Sequence, residues 1–196
     1  MSDRDMRQLR TAVTDFKTRE DGEDLYIEGY FAVFDSNYDI WPGASESIAP
    51  GAFTETIESD DIRALTNHNT DLVLGRNRAG TLTLREDTHG LWGSIKINPK
   101  DSDAVNTRER VLRGDVSQCS IGFGIINEDA EYRDDGSVHW TIRKVKLYEV
   151  SVCTFPAYTE TNVNARKRDF EEIQKRRSDA WRLKIIKTLK GESENA

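Results

Sequence analysis

The stretch from Arg113 to Gly124 constrains this chain most. From Ser117 onward its side chains alternate faces, as strand geometry requires. Cys119, Ile121 and Phe123 fall on one side and make an apolar face suited to a core. Ser120, Gly122 and Gly124 fall on the other, which is nearly bare. A bare face lets another backbone approach closely. One reading is a strand whose glycines let a neighbouring strand or helix pack tightly. The other is a serine hydroxyl standing on open backbone, as a nucleophile that attacks a peptide needs. The stretch alone leaves both open.

The flanking sequence reads mainly as strands. Leu9 to Phe16 and Leu25 to Phe34 are predicted strands around a turn at Glu20-Asp21-Gly22, followed by a polar loop from Asp35 to Ser47. Pro50-Gly51-Ala52-Phe53 opens a short helix with Phe53 and Ile57 facing inward. Ile62 to Thr66 is a strand that ends in Asn67-His68-Asn69. A hairpin joins Gly80 to Arg85 with Leu91 to Asn98, where Leu82, Leu84, Ile95 and Ile97 alternate. Asp101 or Ser102 caps a helix that runs to Arg113 and stops at Gly114. Asp134-Asp135-Gly136 turns the Ser120 strand into a long partner, Val138 to Cys153, which Pro156 breaks. From about Asp169, Phe170, Ile173, Trp181, Ile185 and Leu189 recur at helical spacing among many charges.

Length and charge narrow the classes. A chain of 196 residues suits one domain with an appended segment and can build a core without disulfides or metal. Two cysteines, Cys119 and Cys153, make no disulfide framework, and no apolar run approaches membrane-spanning length. The start, Met1 to Asp5, does not read as a secretory signal, and a reducing cytoplasm fits best. The net charge of −7 is uneven: residues 1–164 carry −11 and residues 165–190 carry +6. The acidic body argues against a nucleic-acid surface. The division expected is 1–165 for the main domain and 166–196 for a basic amphipathic helix and tail.

A serine nucleophile needs a base, and the base needs orienting. There are three histidines. His89 lies in a predicted hairpin turn and His139 on a strand, where packing or solvation explains each. His68 follows a strand end between two asparagines, a place that often carries function, although a solvated loop histidine reads as well. Glu149 sits among Val145, Leu147, Val150 and Val152, so its carboxylate is expected to be partly buried and to need a partner. A histidine serves, giving a Ser–His–Glu relay, and so does a salt bridge to Arg143 or Arg113. Neither a phosphate-cradling glycine motif nor zinc spacing is present, and Gly-x-Ser-x-Gly is absent. No cofactor or metal is called for.

Six segments together, in their order, resemble the prohead (capsid maturation) serine proteases of tailed bacteriophages. They are Gly29 to Phe34, Pro50 to Phe53, Asn67-His68-Asn69 with Leu74-Gly75-Arg76, and Gly80-Thr81-Leu82. The others are Arg113-Gly114-Asp115 with Ser120-Ile121-Gly122-Phe123, and Leu147 to Ser151 with Pro156-Ala157-Tyr158. The similarity covers roughly residues 9–165. It implies a mostly β fold with peripheral helices, related to the herpesvirus assembly proteases: a small closed or nearly closed antiparallel β-barrel plus a C-terminal helix. It also implies cleavage of scaffold or capsid-protein extensions inside the assembling head, in the host-cell cytoplasm. Capsid or scaffold protein would be the substrate, with self-association and no nucleic-acid or membrane partner. Ser120 lands on the nucleophile, His68 on the base and Glu149 on the third member. This sequence has Cys119 and Ile121 around the serine, where the family often has methionine and a bulky aromatic or small residue. Arg113, Arg143 or backbone N–H groups are candidates for stabilising the oxyanion.

Overall fold

The structure is a computed structural model, described here for residues 7–155 and for a set of helical positions between 170 and 186. The chain divides into two compact units, Met1–Tyr158 and Thr159–Ala196. In chain order the first holds β1 (Gln8–Val13), β2 (Lys17–Asp21), β3 (Asp24–Val33), β4 (Tyr38–Trp41), β5 (Ala44–Ile48), α1 (Thr54–Ser59) and β6 (Arg63–Thr66). It continues with β7 (Asn69–Arg76), β8 (Leu82–Glu86), β9 (Gly90–Ile97), α2 (Ser102–Leu112), β10 (Gln118–Tyr132) and β11 (Val138–Cys153). The fold is therefore mostly β with short helices, as expected.

The expected barrel is not what these strands form. They make a seven-stranded sheet, in the order β1-β10-β11-β5-β4 with β6 attached to β11 and β7 to β6, and a four-stranded sheet, β2-β3-β9-β8. β11 explains the shape. Its first half pairs in parallel with β5 and its second half in parallel with β6, so the sheet forks instead of curling shut. The two sheets meet face to face through side chains. Cys119, Ile121 and Phe123 of β10 are fully buried in one core with Ile27 and Phe31 of β3 and Ile95 and Ile97 of β9. The Cys119 thiol sits against the carbonyl oxygens of Ala12 and Tyr30, 3.4 and 3.3 Å away. Burial pushes that thiol up to about 12, so Cys119 is a core residue and an unreactive one.

Local signals place most elements where they were expected. The Asp101 side chain accepts from the backbone N–H of Asp103 and Ala104 to cap α2, and Gly114 ends it at φ +81°. The polar stretch from Asp35 to Ser47 departs from expectation: it holds the β4–β5 hairpin. Its polarity is answered by partners distant in sequence. Glu46 is buried and ion-paired with Arg10, whose guanidinium also lies over the rings of Tyr38 and Phe123. Trp41 packs edge-on against Trp140.

In the second unit, Phe170, Trp181 and Ile185 are helical, and Trp181 is 65 % exposed. Ile173, Leu189, Pro156 and the run Arg166-Lys167-Arg168 lie outside the described residues.

Candidate active site

The β10–β11 ladder sets the site out in rows. Ser120 pairs with Ser151 and Gly122 with Glu149, while Thr11 of β1 flanks Ser120 on its other side. Because Cys119, Ile121, Val150 and Val152 face the core, Ser120, Gly122, Glu149 and Ser151 share the opposite face of the sheet. A β-bulge makes this possible. Between Gly122 and Phe123 the register slips by one residue on β11, with Tyr148 as the extra residue. Leu147 and Val145 before the bulge and Val150 and Val152 after it are thereby all buried in the core. The slip re-aims the strand, and Glu149 is the first residue beyond it.

His68 comes from a two-residue turn. Thr66 of β6 pairs with Asn69 of β7, leaving Asn67 and His68 at the corner with φ of +51° and +60°. A two-residue hairpin of type I′ needs positive φ at both positions, which asparagine tolerates and histidine adopts more readily than most residues. The turn is tied to the end of β11. The Asn67 N–H donates to the Val152 carbonyl, and the Thr154 N–H donates to Asn67 Oδ1 at 2.9 Å. The His68 N–H donates to Ser151 Oγ at 3.2 Å. These bonds lay the imidazole over the Glu149 row.

His68 Nδ1 stands 2.6 Å from Glu149 Oε1. A carboxylate only accepts, so Nδ1 carries a proton and donates it to Glu149. The same Oε1 accepts from the Arg7 guanidinium, and Oε2 accepts from Ser151 Oγ at 2.6 Å. Glu149 is thus paired with a histidine and with a cation at once, and the cation is Arg7 in place of Arg143 or Arg113. Burial alone would push the Glu149 carboxyl up. The bonds from His68, Ser151 and Arg7 outweigh it and hold the group below the ordinary carboxylate range.

Gly122 shows why the face is bare. A Cβ at that position would run into Glu149 Oε1 and would lie 2.5 Å from Arg7 Nε. The missing side chain is the passage through which Arg7 crosses β10 to reach the carboxylate on β11.

Ser120 itself corrects an expectation. Its face is bare, but the residue is fully buried, flanked by Thr11 and Ser151, and its Oγ has no hydrogen-bond partner among the described residues. His68 Nε2 instead faces Cys153 Sγ at 3.9 Å. Burial and the neighbouring Glu149 push the Cys153 thiol up to about 12.

Other candidates lie elsewhere. Arg113 is 74 % exposed on its side chain and paired with Asp115, and Arg143 is paired with Asp129 at the far part of the β10–β11 ladder. His139 is held between Ser45 and Ser47 at 2.9 Å on each ring nitrogen, and His89 packs on Tyr30. Ser151 and Arg7 were missed in the sequence. Ser151 is legible in retrospect, because it lies two residues beyond Glu149 and so on the same strand face. Nothing in the sequence marked Arg7.

The chain is similar to the prohead protease of Enterobacteria phage HK97, with 31 % identity over 160 residues. That match covers 79 % of this chain and 65 % of the relative, so the chain spans just under two thirds of the relative's length. Among solved structures, the bacteriophage T4 capsid assembly protease gp21 aligns with a TM-score of 0.49 and 9 % identity, covering 76 % of this chain and 97 % of that one. A family profile described as Caudovirus prohead serine protease matches residues 13–176, a span that includes Ser120, His68 and Glu149. With most of its length matched, the chain belongs to the caudovirus prohead serine protease family.

Proposed function

We propose that this protein is a serine endopeptidase that cleaves scaffold or capsid-protein extensions inside the assembling phage head, in the host-cell cytoplasm. One observation carries the reading: His68 Nδ1 is bonded to a buried, ionised Glu149, and Ser120 lies one strand away on the same sheet face. Ser120 is the nucleophile, His68 the base and Glu149 its orienter. Nε2 takes the Ser120 proton as Oγ bonds to the peptide carbonyl carbon. The imidazolium then protonates the leaving amine as the C–N bond breaks, and water, activated by the same nitrogen, releases the acyl group. The Ser120–His68 hydrogen bond is made as the peptide binds, since catalytic hydrogen bonds tighten in the substrate complex. The acidic body, −11 over residues 1–164, suits a protein substrate better than nucleic acid. Co-expression with the neighbouring capsid protein tests this reading. Mass spectrometry should find a truncated capsid protein with the wild-type chain and a full-length one with Ser120→Ala. Equal processing by both removes the assignment.

The burial of Ser120, with its Oγ unpartnered, favours a second reading: a capsid assembly protein that keeps the fold without catalysis. It predicts no truncation by either chain.

We further propose that residues 1–165 form the protease domain, which self-associates, and that residues 166–196 dock it to a partner surface in the prohead. The charge change after residue 164 and the exposed Trp181 and Ile185 support this. A chain ending at Ala165 should stay folded and cleave short peptides while failing on assembled shells. Precipitation, or melting far below the full chain, would place the helix in the core.

A further inference from the structure

We propose that Ser151 is a positioning residue of the catalytic site, whose one hydroxyl holds the Glu149 carboxylate and the His68 turn in a single geometry. The inference rests on the roles given above to Ser120, His68 and Glu149. Ser151 is fully buried and lies directly across the ladder from Ser120. Its Oγ donates to Glu149 Oε2 at 2.6 Å and accepts from the His68 N–H at 3.2 Å. A hydroxyl has one proton to give and two lone pairs, so both bonds are made at once.

The consequence is geometric. Glu149 Oε1 holds the imidazole, so rotation of the carboxyl plane moves the ring. The bond at Oε2 stops that rotation. At the other end, the His68 backbone sits at φ +60°, a conformation that a non-glycine residue keeps only when its surroundings fix it. The bond to its N–H is one of the restraints. Ser151 thus sets the direction in which Nε2 points, without touching substrate.

Charge is affected as well. From the N-terminal side of β1, Arg7 shares Oε1 with His68, while Leu9 and Thr11 bring no charge. From β6, Arg63 lies beside Glu149 in the register, its guanidinium bonded to Asp61. From β11, Cys153 faces Nε2. From β10 come only Ser120 and Gly122. Loss of the Ser151 proton donor leaves Oε2 more basic, and the imidazolium is then bound more tightly. The acid limb of kcat/KM must move to higher pH.

The test uses the full-length protein and a peptide spanning the junction mapped by co-expression. Ser151→Ala is expected to lower kcat by about 10²-fold with KM unchanged, as a small misplacement of a reacting group does. Its acid limb is expected at higher pH than in the wild type. Wild-type kcat overturns the proposal, and so does a lowered kcat with an unmoved pH profile, because a merely structural role would give that. If Ser151→Ala does not fold, Ser151→Cys carries the same expectations and the same overturning results. Ser120→Ala is measured alongside. Full activity there sinks the catalytic reading itself, whereas an inactive Ser120→Ala beside an unchanged Ser151 variant sinks only this inference.

Discussion

Ser120→Ala and His68→Ala are each expected to lower kcat by about 10⁴–10⁶-fold, and the double substitution to lower it no further. In the proposed mechanism the two side chains act on one proton. With Oγ gone there is nothing for Nε2 to deprotonate, and with the imidazole gone the hydroxyl is a weak nucleophile. Glu149→Gln should lose less. An amide at that position still accepts from Nδ1, but it does not offset the charge of the imidazolium. Thermal melts separate these effects from unfolding. Ser120→Ala removes an unpartnered oxygen from a buried position and should melt within about 1 kcal/mol of the wild type. Glu149→Gln leaves Arg7 facing an amide and should melt lower.

Gly122→Ala should be nearly as damaging as loss of Glu149, although it adds only one methyl group. The new Cβ meets Glu149 Oε1 and both Nε and Nη2 of Arg7. Arg7 is 37 % exposed on its side chain and can swing out. Glu149 is buried and held by His68 and Ser151, so its carboxylate has to shift and take the imidazole with it. A fall of about 10²-fold in kcat is expected, together with a stability loss of about 1–3 kcal/mol from overpacking. Gly124→Ala is the control. There the nearest atom is the Tyr148 hydroxyl at 3.1 Å, the end of a half-buried side chain that can give. Its activity should stay within about threefold of the wild type. If both variants kept full activity, the Arg7 crossing would have no part in orienting the base.

How much of this was legible in the sequence depends on whether the signal was local. The α2 cap, read as Asp101 or Ser102 and found at Asp101, the Gly114 stop and the Asp134–Gly136 turn are decided by residues close together in the chain. The alternation around Ser120 gave the two faces of β10. The β4–β5 hairpin was missed because its stabilising partners, Arg10 and Trp140, lie far away in the chain. The barrel was wrong for a similar reason. No local feature says that β11 divides its edge between β5 and β6. At the site, burial of Glu149 followed from its apolar neighbours, and His68 from its place at a strand end. The Tyr148 bulge was hidden, because an apolar pattern that changes phase reads as a uniformly apolar strand. Arg7 was hidden because a cation two residues before a predicted strand looks like any other, until the chain brings it over a glycine.

The most direct measurement of the central claim is covalent labelling. The full-length protein is treated with a serine-directed phosphonate, and the adduct is located by peptide mass spectrometry. One adduct is expected, on the peptide that carries Ser120, with its rate of formation greatly reduced in His68→Ala and reduced in Glu149→Gln. An adduct on another serine, or none on Ser120 in a preparation that cleaves the capsid protein, would contradict the account.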